Sequence, residues 1–156
     1  MSYKIVKVNK ENYHLFDDMI FWRVNGFERN VSAEEDNTSN LIIPEEFEDK
    51  NLSVYAIKVD DKFIGWISMI ILHKIGRPNF KGFLYVDELW VQENYRRKGY
   101  AEVLMSKADD LLMTSNLVGI RLGVNVINPG AKALYEKCGY ESTGKAYTME
   151  KRKRKN

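Results

Sequence analysis

Apolar residues recur along this chain in two rhythms, and the switches between them mark out its elements. Ser2 to Val8 alternates, with Tyr3 and Ile5 set against Lys4, Val6 and Val8, and so predicts a first strand. From Lys10 to Arg29 the period lengthens. Leu15, Met19 and Trp22 recur at i, i+4 and i+7, and Phe16, Ile20 and Phe27 widen the stripe into the apolar face of a helix. Residues 30–50 are polar and acidic, Pro44 breaks them, and one short helix is expected around Glu45 to Lys50. Leu52 to Val59 and Phe63 to Leu72 then read as two strands joined by a turn at Asp60-Asp61. The second is apolar on both parities (Ile64, Trp66, Ile70 and Leu72; Ile67, Met69 and Ile71), the mark of a strand covered on both faces. Ile75 to Gly82, with Gly76, Pro78 and Gly82, is a loop, and Phe83 to Val91 is another strand covered on both faces.

The helical rhythm returns from about Tyr100, running through Glu102 to Thr114 and burying Leu104, Ala108, Leu111 and Leu112. Gly119 to Val126 reads as a strand. Asn128 and Pro129 are the favoured pair at a helix start, as N-cap and first helical position. Ala131, Leu134, Tyr135 and Cys138 form the stripe of that helix, and Gly139 supplies its left-handed stop. One or two final strands are expected around Ser142 to Lys145. The whole is an α/β chain built on a mixed sheet with helices on its faces. Without a repeat or a low-complexity linker, it reads as one domain over 1–156.

Composition narrows the setting. With one cysteine, Cys138, no internal disulfide can form, and a reducing cytoplasmic location is the expectation. Met1 to Ile5 lacks the apolar core of a secretory signal, and no apolar run nears the ~20 residues of a membrane span, so no membrane partner is expected. The net charge of +2 hides an asymmetry: Lys151 to Lys155 carry five positive charges, which leaves the rest of the chain at −3. Such a tail is ordinarily a solvated end, and a nucleic-acid contact is the less favoured alternative.

The chemistry concentrates where the strand Phe83–Val91 gives way to a helix through Arg96-Arg97-Lys98-Gly99-Tyr100-Ala101. Three cations, a glycine that lets the backbone approach a ligand, and a helix start with its unpaired N–H groups are a grip for a pyrophosphate. A mononucleotide loop is excluded, because Lys98-Gly99 reverses the required order and no hydroxyl residue follows. A dinucleotide loop needs three spaced glycines, and only Gly99 is present.

Arg96-x-x-Gly99-x-Ala101 instead resembles the pyrophosphate loop of the GNAT superfamily of acetyl-CoA-dependent N-acetyltransferases. Leu89-Trp90-Val91-Gln92-Glu93-Asn94-Tyr95-Arg96 is similar to the family's strand exit. Leu122-Gly123-Val124, Asn128 and Ala133-Leu134-Tyr135-Glu136-Lys137-Cys138-Gly139-Tyr140 are similar to its second signature. The resemblance implies an acyl-CoA N-acyltransferase fold, with a splayed central mixed β-sheet flanked by helices, and acetyl-CoA as co-substrate without a metal. It implies that Leu89, Trp90 and Val91 pair with the pantetheine arm. Arg97, Lys98, Gly99, Tyr100 and Ala101 would cradle the pyrophosphate, with Arg96 as a supporting charge, and Asn128 and Ala131 would meet the coenzyme from the following helix. It also allows a homodimer.

Transfer to an amine needs a base, because roughly one alkyl amine in a thousand is neutral at pH 7. Asp87 and Glu88 are the candidates. As strand neighbours they should point to opposite faces, with Asp87 sharing the parity of Leu89 and Val91. Asp87 is favoured, since it also matches the acid in the similar run of spermidine/spermine acetyltransferases. A charged strand residue with a salt partner is the alternative for each. Tyr135 matches the family's general acid, and a phenol can protonate the departing thiolate; core packing is its alternative, as capping alone is for Asn128. Cys138, His14 and His73 are assigned no chemistry. The acceptor amine is not readable. Seven acids in residues 34–50 (Glu34, Glu35, Asp36, Glu45, Glu46, Glu48 and Asp49), against Lys50, would favour a cation if they wall its pocket, and are otherwise a solvated face. Tyr13, Trp22 and Phe27 fit either core or pocket. A coenzyme A-binding module with a nucleic-acid-contacting tail is the competing class of function.

Overall fold

The computed structural model describes residues 2–30, 41–77 and 81–155. They fall into two compact units, Met1–Gly123 and Val124–Asn156. Glu34, Glu35, Asp36 and Pro78 lie outside the described residues. No helix among the described residues is long and apolar enough to cross a membrane.

The first unit contains β1 (Tyr3–Lys7), α1 (Tyr13–Asn25), a 3₁₀ turn at Glu45–Glu48, β2 (Leu52–Val59), β3 (Lys62–Leu72), β4 (Phe83–Val91), a second 3₁₀ turn at Glu93–Tyr95, α2 (Tyr100–Met113) and β5 (Gly119–Leu122). The strands lie in the sheet in chain order. β1 to β4 pair antiparallel, and β4 and β5 pair parallel. The one parallel pair is the one joined by a helix, because a parallel connection must cross from one end of the sheet to the other. Val59 opposite Lys62 leaves Asp60-Asp61 as a two-residue hairpin loop, and Asp60 takes the left-handed conformation (φ +52°) such a turn favours.

α1 is shorter at both ends than the span Lys10 to Arg29 expected for it. The Asn12 side chain accepts from Asn9 N–H (2.9 Å) ahead of the helix, and Gly26 stops it in a left-handed conformation with its N–H on Trp22 O (2.8 Å). Phe27 is therefore outside the helix and exposed. α1 lies against β3, where Met19 joins Val8, Val54, Ala56, Phe63 and Trp66 in one buried cluster. Ala56 and Trp66 are direct cross-strand partners. Their chain neighbours Ile57 and Ile67 point to the other face and are equally buried, under α2. β3 is thus covered on both faces, and each large side chain so buried contributes about 1.5–3 kcal/mol. α2 contributes Tyr100, Leu104, Met105 and Ala108, with Leu111 and Leu112 half-buried. At the start of β4 Gly82 is required by space: a Cβ there would lie 2.2 Å from Leu72 O.

In the second unit α3 spans Pro129–Lys137. Asn128 caps it, Gly139 ends it at φ +91°, and Tyr140 N–H closes back on Tyr135 O (3.0 Å). The strands expected around Ser142 to Lys145 are absent: residues 141–155 are exposed and carry neither helix nor strand. Strand formation depends on a partner edge more than on local preference. This stretch, with Gly144 and the basic run behind it, offers little apolar surface to bring it to one.

Candidate active site

β4 is paired differently along its two halves. On one side it follows β3 throughout, from Leu72 opposite Phe83 to Gly65 opposite Val91. On the other side its pairing with β5 runs only from Phe83 opposite Gly119 to Val86 opposite Leu122. From Asp87 to Val91 that second edge has no strand beside it among the described residues. β5 accordingly ends at Leu122, four residues short of the Val126 expected from its apolar run.

The change falls at a β-bulge. Ser68 pairs with Glu88 and Met69 with Val86, so Asp87 is an extra residue with no partner on β3. This corrects the simple alternation expected for Asp87 and Glu88, since a bulge interrupts the two-residue period and re-aims the side chains beside it. Both acids are exposed. Glu88 is held: its N–H donates to Ser68 Oγ (3.2 Å) and its carboxylate meets Arg23 of α1 at 3.9 Å. The Arg23 guanidinium lies over the Trp66 ring, 4.9 Å from its centre, and Trp66 packs on Trp90 at 5.3 Å. Asp87 has no ion pair among the described residues. Leu89 and Trp90 are half-buried, and Val91 is buried.

Beyond Val91 the chain is braced before it turns. Gln92, buried, donates its N–H to Ile64 O (2.8 Å) and accepts Asn94 N–H on its side-chain oxygen (2.7 Å). Within the strand-exit run Gln92 carries no role that the sequence reveals; its burial and its bonds to Ile64 and Asn94 do so. Arg96 donates Nε–H to Val91 O (2.8 Å), which ties the turn to the strand end. Arg97 (φ +60°) and Gly99 (φ +86°) both take the left-handed conformation, either side of Lys98. Left-handed residues in a turn curl successive N–H groups inward into an anion-binding concavity. A non-glycine residue in that conformation costs about 1 kcal/mol or more, and such strain gathers at functional sites. The first bond into α2, Val103 N–H to Gly99 O (3.1 Å), leaves the N–H groups of Tyr100 and Ala101 at the open helix end. Lys98 sits over the Tyr95 ring at 5.5 Å, and buried Tyr100 meets Tyr3 edge-on at 5.5 Å.

In the second unit Asn128 Oδ1 accepts Ala131 N–H (3.1 Å), so the cap is formed and the Ala131 donor is engaged. Tyr135 is half-buried, 6.2 Å from the Tyr140 ring. Burial, with a smaller contribution from neighbouring Cys138, holds its phenol above the ordinary value of 10.0.

The ambiguous aromatics separate. Tyr13 packs into the core on Phe16 and Phe47, while exposed Phe27 rests on Phe21. Trp22 lines a shallow pocket with Asp18, Glu28, Arg29 and Lys62, whose charges largely pair with one another. Glu45, Glu46, Glu48 and Asp49 are exposed, and Glu48 meets Lys10 at 3.8 Å.

The site is thus a strand with one open edge that feeds a left-handed turn and a helix start. The acetyltransferase (GNAT) family profile matches residues 14–140, and the chain belongs to that family. It is 26% identical over 103 residues to the uncharacterized N-acetyltransferase YycN of Bacillus subtilis (strain 168), a match covering 65% of this chain and 64% of that protein. The chain thus spans a little under two thirds of the curated relative it matches. Among solved structures it resembles AAC(6')-Iy in complex with the bisubstrate analog CoA-S-monomethyl-acetylneamine (TM-score 0.74, 14% identity, 97% of this chain and 99% of that one). It also resembles glucosamine-6-phosphate N-acetyltransferase from Arabidopsis thaliana (TM-score 0.71, 19% identity, 97% and 99%). The five-stranded mixed sheet flanked by helices is the fold of these enzymes, and acetyl-CoA is the donor that the family uses.

Proposed function

We propose that this chain moves an acetyl group from acetyl-CoA directly to a primary amine within a ternary complex, as one acetyltransferase domain whose residues 151–156 are a basic tail. The observation that carries this reading is the open half of β4, Asp87 to Val91, leading into a turn with left-handed Arg97 and Gly99. Leu89, Trp90 and Val91 pair with the pantetheine arm as an added strand would. The N–H groups of Arg97, Lys98, Gly99, Tyr100 and Ala101 hold the pyrophosphate. Arg96, engaged by Val91 O, shapes the turn and adds charge behind it. Asn128 meets the coenzyme through its Nδ2, since Oδ1 caps α3, and Ala131 offers contact surface only, its N–H being engaged.

The reaction balances as follows. Asp87 takes a proton from the acceptor ammonium, directly or through water. The freed amine attacks the thioester carbonyl, whose electrons pass to oxygen beside a main-chain N–H of β4. As collapse breaks the C–S bond, the second proton of the attacking nitrogen and the one held by Asp87 pass to water, and Tyr135 gives its phenolic proton to the departing thiolate. Burial keeps that phenol protonated through neutral pH, ready for this step. The products are an N-acetyl amide and coenzyme A, and solvent restores the Tyr135 proton.

The acceptors in the two neighbours' names differ in charge, one derived from neamine and one a sugar phosphate. The exposed acids at Glu45–Asp49 and the open bulge favour the cationic kind. A reducing cytoplasmic setting, in keeping with a sequence that holds one cysteine and so no internal disulfide, belongs to the same reading. The exposed basic residues Lys151–Lys155 favour, as a second reading, a coenzyme A-binding module with a nucleic-acid-contacting tail. Titration calorimetry with acetyl-CoA followed by a thiol-release assay over an amine panel decides. Binding with amine-dependent thiol release supports the transferase; binding with no release for any amine supports the module, and no binding at millimolar acetyl-CoA rejects both. Tyr135→Phe should lower turnover about ten-fold or more while acetyl-CoA still binds; unchanged turnover would remove Tyr135 from the role.

A further inference from the structure

We propose that Arg23 is a specificity-determining residue: by pairing with Glu88 it sets the charge of the acceptor side of the bulge, and so how much positive charge the preferred acceptor carries. This presupposes the acetyl transfer proposed above. Arg23 comes from α1, yet its guanidinium reaches β4, 3.9 Å from the Glu88 carboxylate, and stacks on Trp66 of β3. Trp66 is 1% exposed, so this stack fixes where Arg23 sits without depending on Glu88. Glu88 is fixed in turn through its N–H on Ser68 Oγ. The pair remains in reach of solvent, with side chains 42% and 52% exposed, so its charges are felt by a ligand arriving at the bulge. Next to it, Asp87 stands without an ion pair among the described residues.

The charge sum at the bulge follows directly. Two neighbouring carboxylates and one guanidinium leave a single uncompensated negative charge, matched to an acceptor with one ammonium group. Without Arg23 the bulge carries two such charges and suits a diamine. Without Glu88 it carries none, and a second ammonium on the acceptor is repelled. With both neutralised the original charge returns, although two side chains have changed.

The test compares putrescine with butylamine on the full chain, wild type and Arg23→Gln, Glu88→Gln and the double variant, each with saturating coenzyme A. Binding is followed by NMR at the tryptophan indole N–H groups, and kcat/KM by thiol release with acetyl-CoA. Arg23→Gln should raise the putrescine-to-butylamine ratio about five-fold, Glu88→Gln should lower it by a similar factor, and the double variant should return it to within about two-fold of wild type. A ratio that stays constant across the four proteins, or that moves the same way in both single variants and further in the double, would reduce Arg23–Glu88 to a structural clamp and overturn the assignment. Binding ratios that follow the charge, in a protein that acetylates neither amine, would uphold Arg23 as the residue that sets charge preference in amine binding, and the wider amine panel would then decide the transfer reading separately.

Discussion

The two halves of β4 are built from one strand and used in two ways. Phe83 to Val86 lies between β3 and β5, with Phe83, Leu84 and Val86 buried, and behaves as an interior strand. Asp87 to Val91 keeps β3 but loses β5, and begins with two exposed acids. Both halves hydrogen-bond along β3, so neither is loose. What changes is one edge, and a one-residue bulge is where it changes. The first half therefore contributes stability, and the second presents, on a rigid support, an edge that has no strand partner among the described residues, which is what a ligand that pairs like a strand requires.

Removing the bulge should produce the largest effect. Deleting Asp87 brings Val86 and Glu88 opposite Met69 and Ser68 in unbroken register, so the chain should fold, while acetyl transfer falls by about a hundred-fold or more at every pH. Asp87→Asn keeps the bulge and removes only the proposed base. It should cost about a hundred-fold at pH 7 and recover as pH rises toward the amine's own pKa. The two pH–rate profiles, measured side by side, separate shape from proton transfer; parallel profiles would deny Asp87 the proton.

A smaller effect distinguishes the halves by stability. Leu84→Ala, at 2% exposure in the enclosed half, should lower unfolding free energy by about 2–5 kcal/mol. Leu89→Ala, half-buried in the open half, should cost less than half of that and instead raise KM for acetyl-CoA. Urea unfolding and steady-state kinetics on both proteins check the contrast, and equal stability losses would erase it. The smallest effect lies at the turn. Nothing stands within 4 Å of a Cβ added at Gly99, so Gly99→Ala should fold and pay only for its φ of +86°, about 1–2 kcal/mol. Relaxing that strain should loosen the turn and weaken acetyl-CoA binding several-fold by calorimetry.

Features with a local signal are legible in the sequence. β4 begins and ends at Phe83 and Val91 as expected, α2 begins at Tyr100, and Asn128, Pro129 and Gly139 bracket α3 in their expected places. Each depends on a residue's own backbone preference or on a short apolar period. Features whose cause lies across strands are not legible in this way. The extra residue at Asp87 exists only relative to Ser68 and Met69, so parity counted along β4 alone gives the wrong relation between Val86 and Glu88. Arg23 and Glu88 are 65 positions apart, and no motif links them. The one or two final strands expected around Ser142 to Lys145 depend on a partner edge, and the residues around Gly144 do not form them. The roles of Asp87, Tyr135 and the pyrophosphate turn rest on the proposal and its experiments.

On the proposed function, acetyl-CoA docks on the open half of β4 and the turn beyond it. Amide hydrogen exchange, followed residue by residue with and without saturating acetyl-CoA, tests it most directly. Protection should rise within Leu89–Val91 and Arg97–Ala101 and stay unchanged at Phe83–Val86, whose N–H groups are already enclosed. Protection that rises equally along all of β4, or that leaves Leu89–Val91 and Arg97–Ala101 unaltered while acetyl-CoA binds, would contradict it.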